Sequence, residues 1–146
     1  MNDSVAPDIV STLVAAVLGA AIGAEREWRR HPGGLRSCAL VSAAACVFAR
    51  IGILFGGSSP GAALGAIASG VGFLGAGVIL RHGLQVRGLS TASTFWAVAA
   101  VGASAGVLRY FQAVVLTLIV LFAHVALRSL SDWIGRHAPD VDEGPR

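Results

Sequence analysis

The chain has 146 residues, 55% of them hydrophobic and 13% charged, with a formal net charge of +3 and a mean hydropathy of +0.73. A typical soluble domain carries about 25% charged residues, so this composition excludes a water-facing globular surface and points to a single domain with the bilayer as its solvent. All eleven basic residues are Arg, set at the ends of apolar segments rather than in a stripe, which excludes a nucleic-acid groove as the partner.

Met1 to Asp8 is short and polar, with Pro7 suited to the first turn of a helix and no basic start of a cleaved signal peptide. Ile9 to Ala24 is apolar throughout, and counted from Ala6 it reaches the about 17–25 residues of a membrane helix. Gly19 and Gly23 form a GxxxG pair. Such a pair packs helices within one bundle or forms a seam between two copies, and the first is the plainer reading. Glu25 to Arg36 is the most charged stretch. Glu25 precedes Arg29 by four residues, a favourable helical pair, and Pro32, Gly33 and Gly34 end the helix in a turn. Arg26, Arg29, Arg30 and Arg36 place this loop in the cytoplasm by the positive-inside rule, with the N-terminus outside.

Ser37 to Phe55 reads as the second span. Cys38 and Cys46 are eight positions apart. On one helix that is roughly 12 Å along the axis, beyond the roughly 7 Å a disulfide bridges, so they read as small packing residues. Arg50 lies near the outer end, where snorkelling to headgroups accounts for it more simply than a buried functional charge.

Ala62 to Leu80 is the third span, crowded with Gly65, Gly70, Gly72, Gly75 and Gly77. Each glycine costs a helix about 0.8–1 kcal/mol relative to Ala in water, while the bilayer opposes unwinding. Two outcomes stay open: a helix clamped by neighbours, with Gly72, Gly75 and Gly77 at the contact, or a helix broken around a polar path. Arg81, His82 and Arg87 place the next loop inside again. Ser90 or Thr91 caps a fourth span running to about Leu108, with Gly102 and Gly106 on a small-residue face. Phe111 to Leu127 is the fifth span, in which His124 reads as a packed, hydrogen-bonded residue rather than a ligand. The expected fold class is all-α, a polytopic membrane bundle of about five transmembrane helices over residues 1–130, followed by a polar cytoplasmic tail at 131–146.

No nucleophile elbow, metal-ligand cluster or phosphate loop is present, and the glycines of Gly70–Gly77 neither follow a strand nor open a βαβ unit. A protein-built magnesium site wants carboxylates. Between Ala24 and Asp132 the carboxylates are Glu25 and Glu27, both at the inner edge. No enzyme activity, metal site or cofactor is expected. What remains is an inner-face polar cluster of Glu25, Arg26, Arg36, Arg81, Gln85 and Arg87, with Ser90 and Thr91. Such a cluster either sets orientation or binds an anion, a lipid headgroup or a partner protein.

These segments resemble the MgtC/SapB family of bacterial inner-membrane proteins. The resemblance is carried by GAAIGAEREWRRHPGGLRSCALV (Gly19–Val41) and IASGVGFLGAGVILRHGLQVRGLSTASTFWAVAAVG (Ile67–Gly102). Its motifs fall on Glu25 and Arg26, on Gly34 to Arg36, on Gly72 to Gly77 and on Val86 to Ala92. Ser37, Cys38 and the Ala-rich run after Val41 depart from the commoner Thr and Gly there. The resemblance covers the family's membrane domain, and the soluble C-terminal domain of its best-known members has no counterpart in this sequence. It implies a non-enzymatic regulatory role in adaptation to low magnesium and, in pathogens, in survival inside phagocytes. Such a protein acts through membrane partners, the ATP synthase among them, with homo-oligomers expected. The alternative of another class is a small ion or solute transporter with a broken third helix.

Overall fold

In the computed structural model, which describes residues 5–55, 60–82 and 85–137, Pro7 and Asp8 lie in the first turn of α1 (Val5–Trp28). A missing N–H costs nothing there, and a carboxylate meets the positive end of the helix dipole. The helix stops in a Schellman turn: His31 N–H donates to the Arg26 carbonyl and Arg30 N–H to that of Glu27, both at 2.9 Å, with Arg30 left-handed at φ 58°. α2 (Leu35–Phe55) runs back antiparallel to α1. Its N-terminus is capped from outside, Glu27 Oε2 accepting the Leu35 N–H at 2.9 Å.

α3 (Pro60–Val78) is followed by a feature that the helical reading lacks. β1 (Leu80–His82) and β2 (Gln85–Arg87) form a two-stranded antiparallel ribbon that pairs Leu80 with Arg87, Arg81 with Val86 and His82 with Gln85. Gly88 then turns the chain with φ 94° into α4 (Leu89–Gly106), and a Cβ there would collide with the Val78 carbonyl. Gly88 is the N-cap, in place of the expected Ser90 or Thr91, and makes no side-chain cap bond. α4 ends in a second Schellman turn, with Leu108 at φ 61° and Arg109 N–H bonded to the Ser104 carbonyl at 2.9 Å. α5 (Tyr110–Phe122) continues through a π turn (Ala123–Leu127) into α6 (Arg128–His137), so the segment read as the start of a tail is helical to His137.

Among the described residues four segments are long and apolar enough to cross a membrane: Ala6–Trp28, Leu35–Phe55, Gly61–Val78 and Tyr110–Leu127. α4 falls outside that set and is the hub, packed against α1, α2, α3 and α5. Its buried side chains include Thr91, Thr94, Phe95, Val98 and Val101. The bundle thus hides its Ser/Thr-bearing helix and turns the Leu/Ile/Val/Phe surfaces outward, with Phe48, Phe73 and Phe111 exposed.

Glycine sets the closeness of the inner contacts. Gly102 sits on the Ser42 carbonyl, where any Cβ would overlap the α2 backbone, and a Cβ at Gly106 would stand 2.5 Å from the Cys46 carbonyl. A Cβ at Gly19 would lie 2.6 Å from the Cys38 carbonyl, and one at Gly23 would lie 2.6 Å from Leu35 Cα. The GxxxG pair therefore faces α2 of its own chain. α3 is different: a Cβ at Gly75 would meet Ala92 at 3.4 Å, whereas Gly72 and Gly77 have nothing within 4 Å. The third helix is neither broken nor clamped. It is an unbroken helix resting on α4 and α2 along one side, with Gly72 and Gly77 left open on its two flanks.

At the opposite end from the charged loop, Arg50 does not simply snorkel. Its Nε donates to Asp8 Oδ1 at 2.6 Å, with Nη2 on the same oxygen, which ties the last turns of α2 to the first turn of α1.

Candidate functional site

Arg26 is the largest fully buried side chain among the described residues, at 2% exposure. Taking a guanidinium out of water costs several kcal/mol unless its donors are used. Here they are. Nε donates to the Gly33 carbonyl at 3.1 Å, Nη2 to the Pro32 carbonyl at 2.6 Å and to Thr91 Oγ1 at 2.8 Å, and Nη1 to Thr94 Oγ1 at 2.9 Å. The two threonines stand three residues apart on α4, hence on one face. The two carbonyls are presented by the turn that Pro32 and Gly33 make, Gly33 at φ 75°. A Cβ on Gly33 would run 2.8 Å from the Phe95 ring. One side chain therefore joins α1, the α1–α2 turn and α4.

The network continues to α5. Thr94 Oγ1 lies 3.0 Å from His124 Nε2 and 2.7 Å from the Ser90 carbonyl, and His124 Nδ1 lies 3.1 Å from Glu25 Oε2. The other carboxylate oxygen, Oε1, is 2.5 Å from Arg29 Nε but off the N–H direction, so that pair is a charge contact rather than a hydrogen bond. His124 opens onto this cluster from the first turn of the π segment. Between these groups lies a cavity of about 240 Å³ lined by Glu25, Arg26, Arg29, His31, Ser90, Ala123 and His124.

Of the residues expected at the inner face, the structure brings Glu25, Arg26 and Thr91 together. Arg36 stands apart on the surface, beside a shallow pocket with Glu27, His31 and Ser37, and Arg87 is exposed on β2. The side chains of Arg81 and Gln85 lie outside the described residues. Thr94, Arg29 and His124 belong to the cluster without having been assigned to it. The Thr91–Thr94 spacing was the available sign for the first. For His124, a lone imidazole in an apolar helix gave no indication of which helix it would meet. It is hydrogen-bonded, as expected, but its partners come from α1 and α4.

Among the described residues no group of three or more His, Cys, Asp or Glu is arranged to hold a metal ion. Cys38 and Cys46 are both free and buried, and Cys38 Sγ lies 3.2 Å from the Gly33 carbonyl, so it braces the turn that Arg26 uses. The arrangement holds charge in place at the junction of three helices. It presents no activated nucleophile.

The sequence profile of the MgtC family matches residues 12–133. Protein MgtC of Salmonella typhimurium is 45% identical over 130 residues, which is 89% of this chain and 56% of that protein. Protein MgtC of Brucella abortus is 43% identical over 117 residues, 80% of this chain and 49% of its own length. An uncharacterized protein of Synechocystis, slr0014, is 46% identical over 127 residues, 86% of this chain and 54% of its own length. The chain thus spans about half the length of the curated relatives it matches. No solved structure matches it.

Proposed function

This chain belongs to the MgtC family, a membrane protein by its four long apolar helices, and from that premise we propose that it is a non-enzymatic regulator working through other membrane proteins. In this reading it crosses the bacterial inner membrane five times, α4 included, as the module 1–130 with a cytoplasmic tail. The N-terminus is outside, because Arg26, Arg29, Arg30, Arg36, Arg81 and Arg87 lie in the loops of one side and Arg109 in a loop of the other. Its task is adaptation to low magnesium and, in a pathogen, intracellular survival. The ATP synthase is a candidate partner, and a second copy is another.

The observation that carries the proposal lies in the open flanks of α3. A Cβ added at Gly61, Gly65 or Gly72 on one flank of the helix, or at Gly70 or Gly77 on the other, would meet nothing within 4 Å in its own chain. Small residues facing lipid let another helix backbone approach closely, which is how membrane helices associate without a hydrophobic driving force. The transporter alternative rested on a third helix broken around a polar path. α3 runs unbroken from Pro60 to Val78, and the described carboxylates sit at the bundle ends, so no specific feature favours that reading.

The test is growth of a deletion strain in limiting magnesium, complemented with wild type or Gly72→Leu, while cellular ATP and magnesium are followed. Loss of the protein should raise ATP at unchanged magnesium content. Gly72→Leu should accumulate normally yet fail to complement and lose its crosslinks to partner proteins. Falling magnesium content on deletion, with ion uptake by reconstituted vesicles, would replace the regulatory reading with transport.

A further inference from the structure

The Thr94 hydroxyl carries one hydrogen and meets three partners: the Ser90 carbonyl at 2.7 Å, Arg26 Nη1 at 2.9 Å and His124 Nε2 at 3.0 Å. Arg26 can only donate and the carbonyl can only accept, so the third contact decides the hydrogen count. With a proton on Nε2, the imidazole donates to Thr94 and Thr94 donates to Ser90. With Nε2 bare, the single hydroxyl hydrogen must choose between Ser90 and His124. The other ring nitrogen, Nδ1, faces Glu25 Oε2 at 3.1 Å. An ionised carboxylate also only accepts. Every contact in the cluster is satisfied at once when the Glu25–His124 pair holds one proton more than a carboxylate with a neutral imidazole.

We propose that Glu25 and His124 form a proton-binding site whose occupancy fastens the π turn of the fifth helix to α4. In the unprotonated state the Thr94 hydrogen stays on the shorter Ser90 contact and two lone pairs face each other at His124; a proton from solvent reaching the cavity forms the Nε2–H bond, which then donates to Thr94. The charge on the pair rises by one and no other bond changes. Histidine is the side chain whose ordinary titration falls between about pH 5 and 8. The groups facing it are Glu25, Arg26 and Arg29 of α1 and His31 of the following turn. α4 presents Ser90, Thr91 and Thr94, all uncharged. Arg128 follows one turn on, its side chain outside the described residues. The link bears on the place where the rod departs from the regular i→i−4 ladder, and single π turns of this kind are frequent at functional sites.

The experiment uses the full chain in lipid nanodiscs, with ¹⁵N-histidine NMR and amide hydrogen exchange read from pH 5 to 8. The His124 Nε2 resonance should change from an unprotonated to a protonated shift as pH falls. Exchange at 123–127, corrected for intrinsic chemistry, should slow by about fivefold over the same interval, the factor that one net hydrogen bond is worth. His124→Gln should make that exchange independent of pH, while Thr94→Ser keeps the response. Exchange that does not change with pH, or a response retained in His124→Gln, would overturn the proposal. Thr94→Val should abolish it, and if that variant does not fold, the wild type against His124→Gln decides by itself.

Discussion

Arg26 Nη1 and Thr94 Oγ1 lie 2.9 Å apart across 68 residues of sequence, both side chains buried. This bond, with the Thr91 bond beside it, is what sets the charged end of α1 against the start of α4. It follows that the arginine is structural before it is anything else.

Replacing Arg26 by Ala would strand two carbonyls and two hydroxyls that now share its donors. We expect a loss of more than about 3 kcal/mol, the scale of breaking a buried charged network from one side. Arg26→Lys should fare little better, since a compact ammonium cannot reproduce the planar fork. Thermal unfolding of detergent-solubilised protein, followed by size exclusion, measures both. A melting temperature unchanged in either variant would contradict the network as drawn.

The glycines divide into two sets that a single experiment separates. Gly102→Ala places a Cβ into the α2 backbone at Ser42 and should cost about 1–3 kcal/mol or more as overpacking. Gly72→Ala and Gly77→Ala meet open space and should be neutral or stabilising by up to about 1 kcal/mol through helix propensity. Equal effects at Gly102 and Gly72 in the same melting assay would mean that α3 is covered on both sides.

At the other end of the bundle, Asp8 and Arg50 are a partly exposed pair, with side chains 36% and 15% accessible. Their coupling should be about 1 kcal/mol, the upper range for pairs in contact with solvent. A double-mutant cycle with Asp8→Asn and Arg50→Gln reads it directly. The double variant should be less harmed than the sum of the singles, and strict additivity would show the contact to be incidental.

Two Schellman turns use side-chain-bearing residues in the left-handed region, Arg30 at φ 58° and Leu108 at φ 61°. That conformation costs an L-residue about 1–2 kcal/mol, which Gly avoids. Arg30→Gly and Leu108→Gly should each stabilise by about 1 kcal/mol, reduced by the greater freedom of an unfolded glycine. Chemical denaturation in mixed micelles is the measurement, and destabilisation of both would show that the side chains do more than tolerate the turn.

How far the sequence carried this protein differs from one feature to the next. The spans were legible because apolar runs of about twenty residues have one stable solvent; the helix boundaries fall within a few residues of the expected ones except at the end of the last span, which continues helical to His137. The Pro32–Gly34 turn was equally legible from its composition. The β-ribbon at Leu80–Arg87 was not. By sequence the stretch reads as a loop, since three-residue strands carry too few residues for an alternating pattern to stand out. Gly88 as N-cap was missed because Ser90 and Thr91 are the usual capping types. The structure instead commits Thr91 to Arg26, a partner 65 positions away.

The sequence by itself determined the solvent, the helices, their ends and the side on which charge gathers, because hydropathy, helix-breaking residues and Arg placement act over a few neighbouring positions. The tertiary structure alone decided which of many small-residue faces would meet. It put Gly19 and Gly23 on α2, Gly102 on Ser42, and left Gly72 and Gly77 open. It also decided that Arg26, Thr94, His124 and Glu25 would form one network. The reason is geometric: several glycine faces are chemically equivalent along the chain, and the choice among them is made by how all the helices fit around α4 at once.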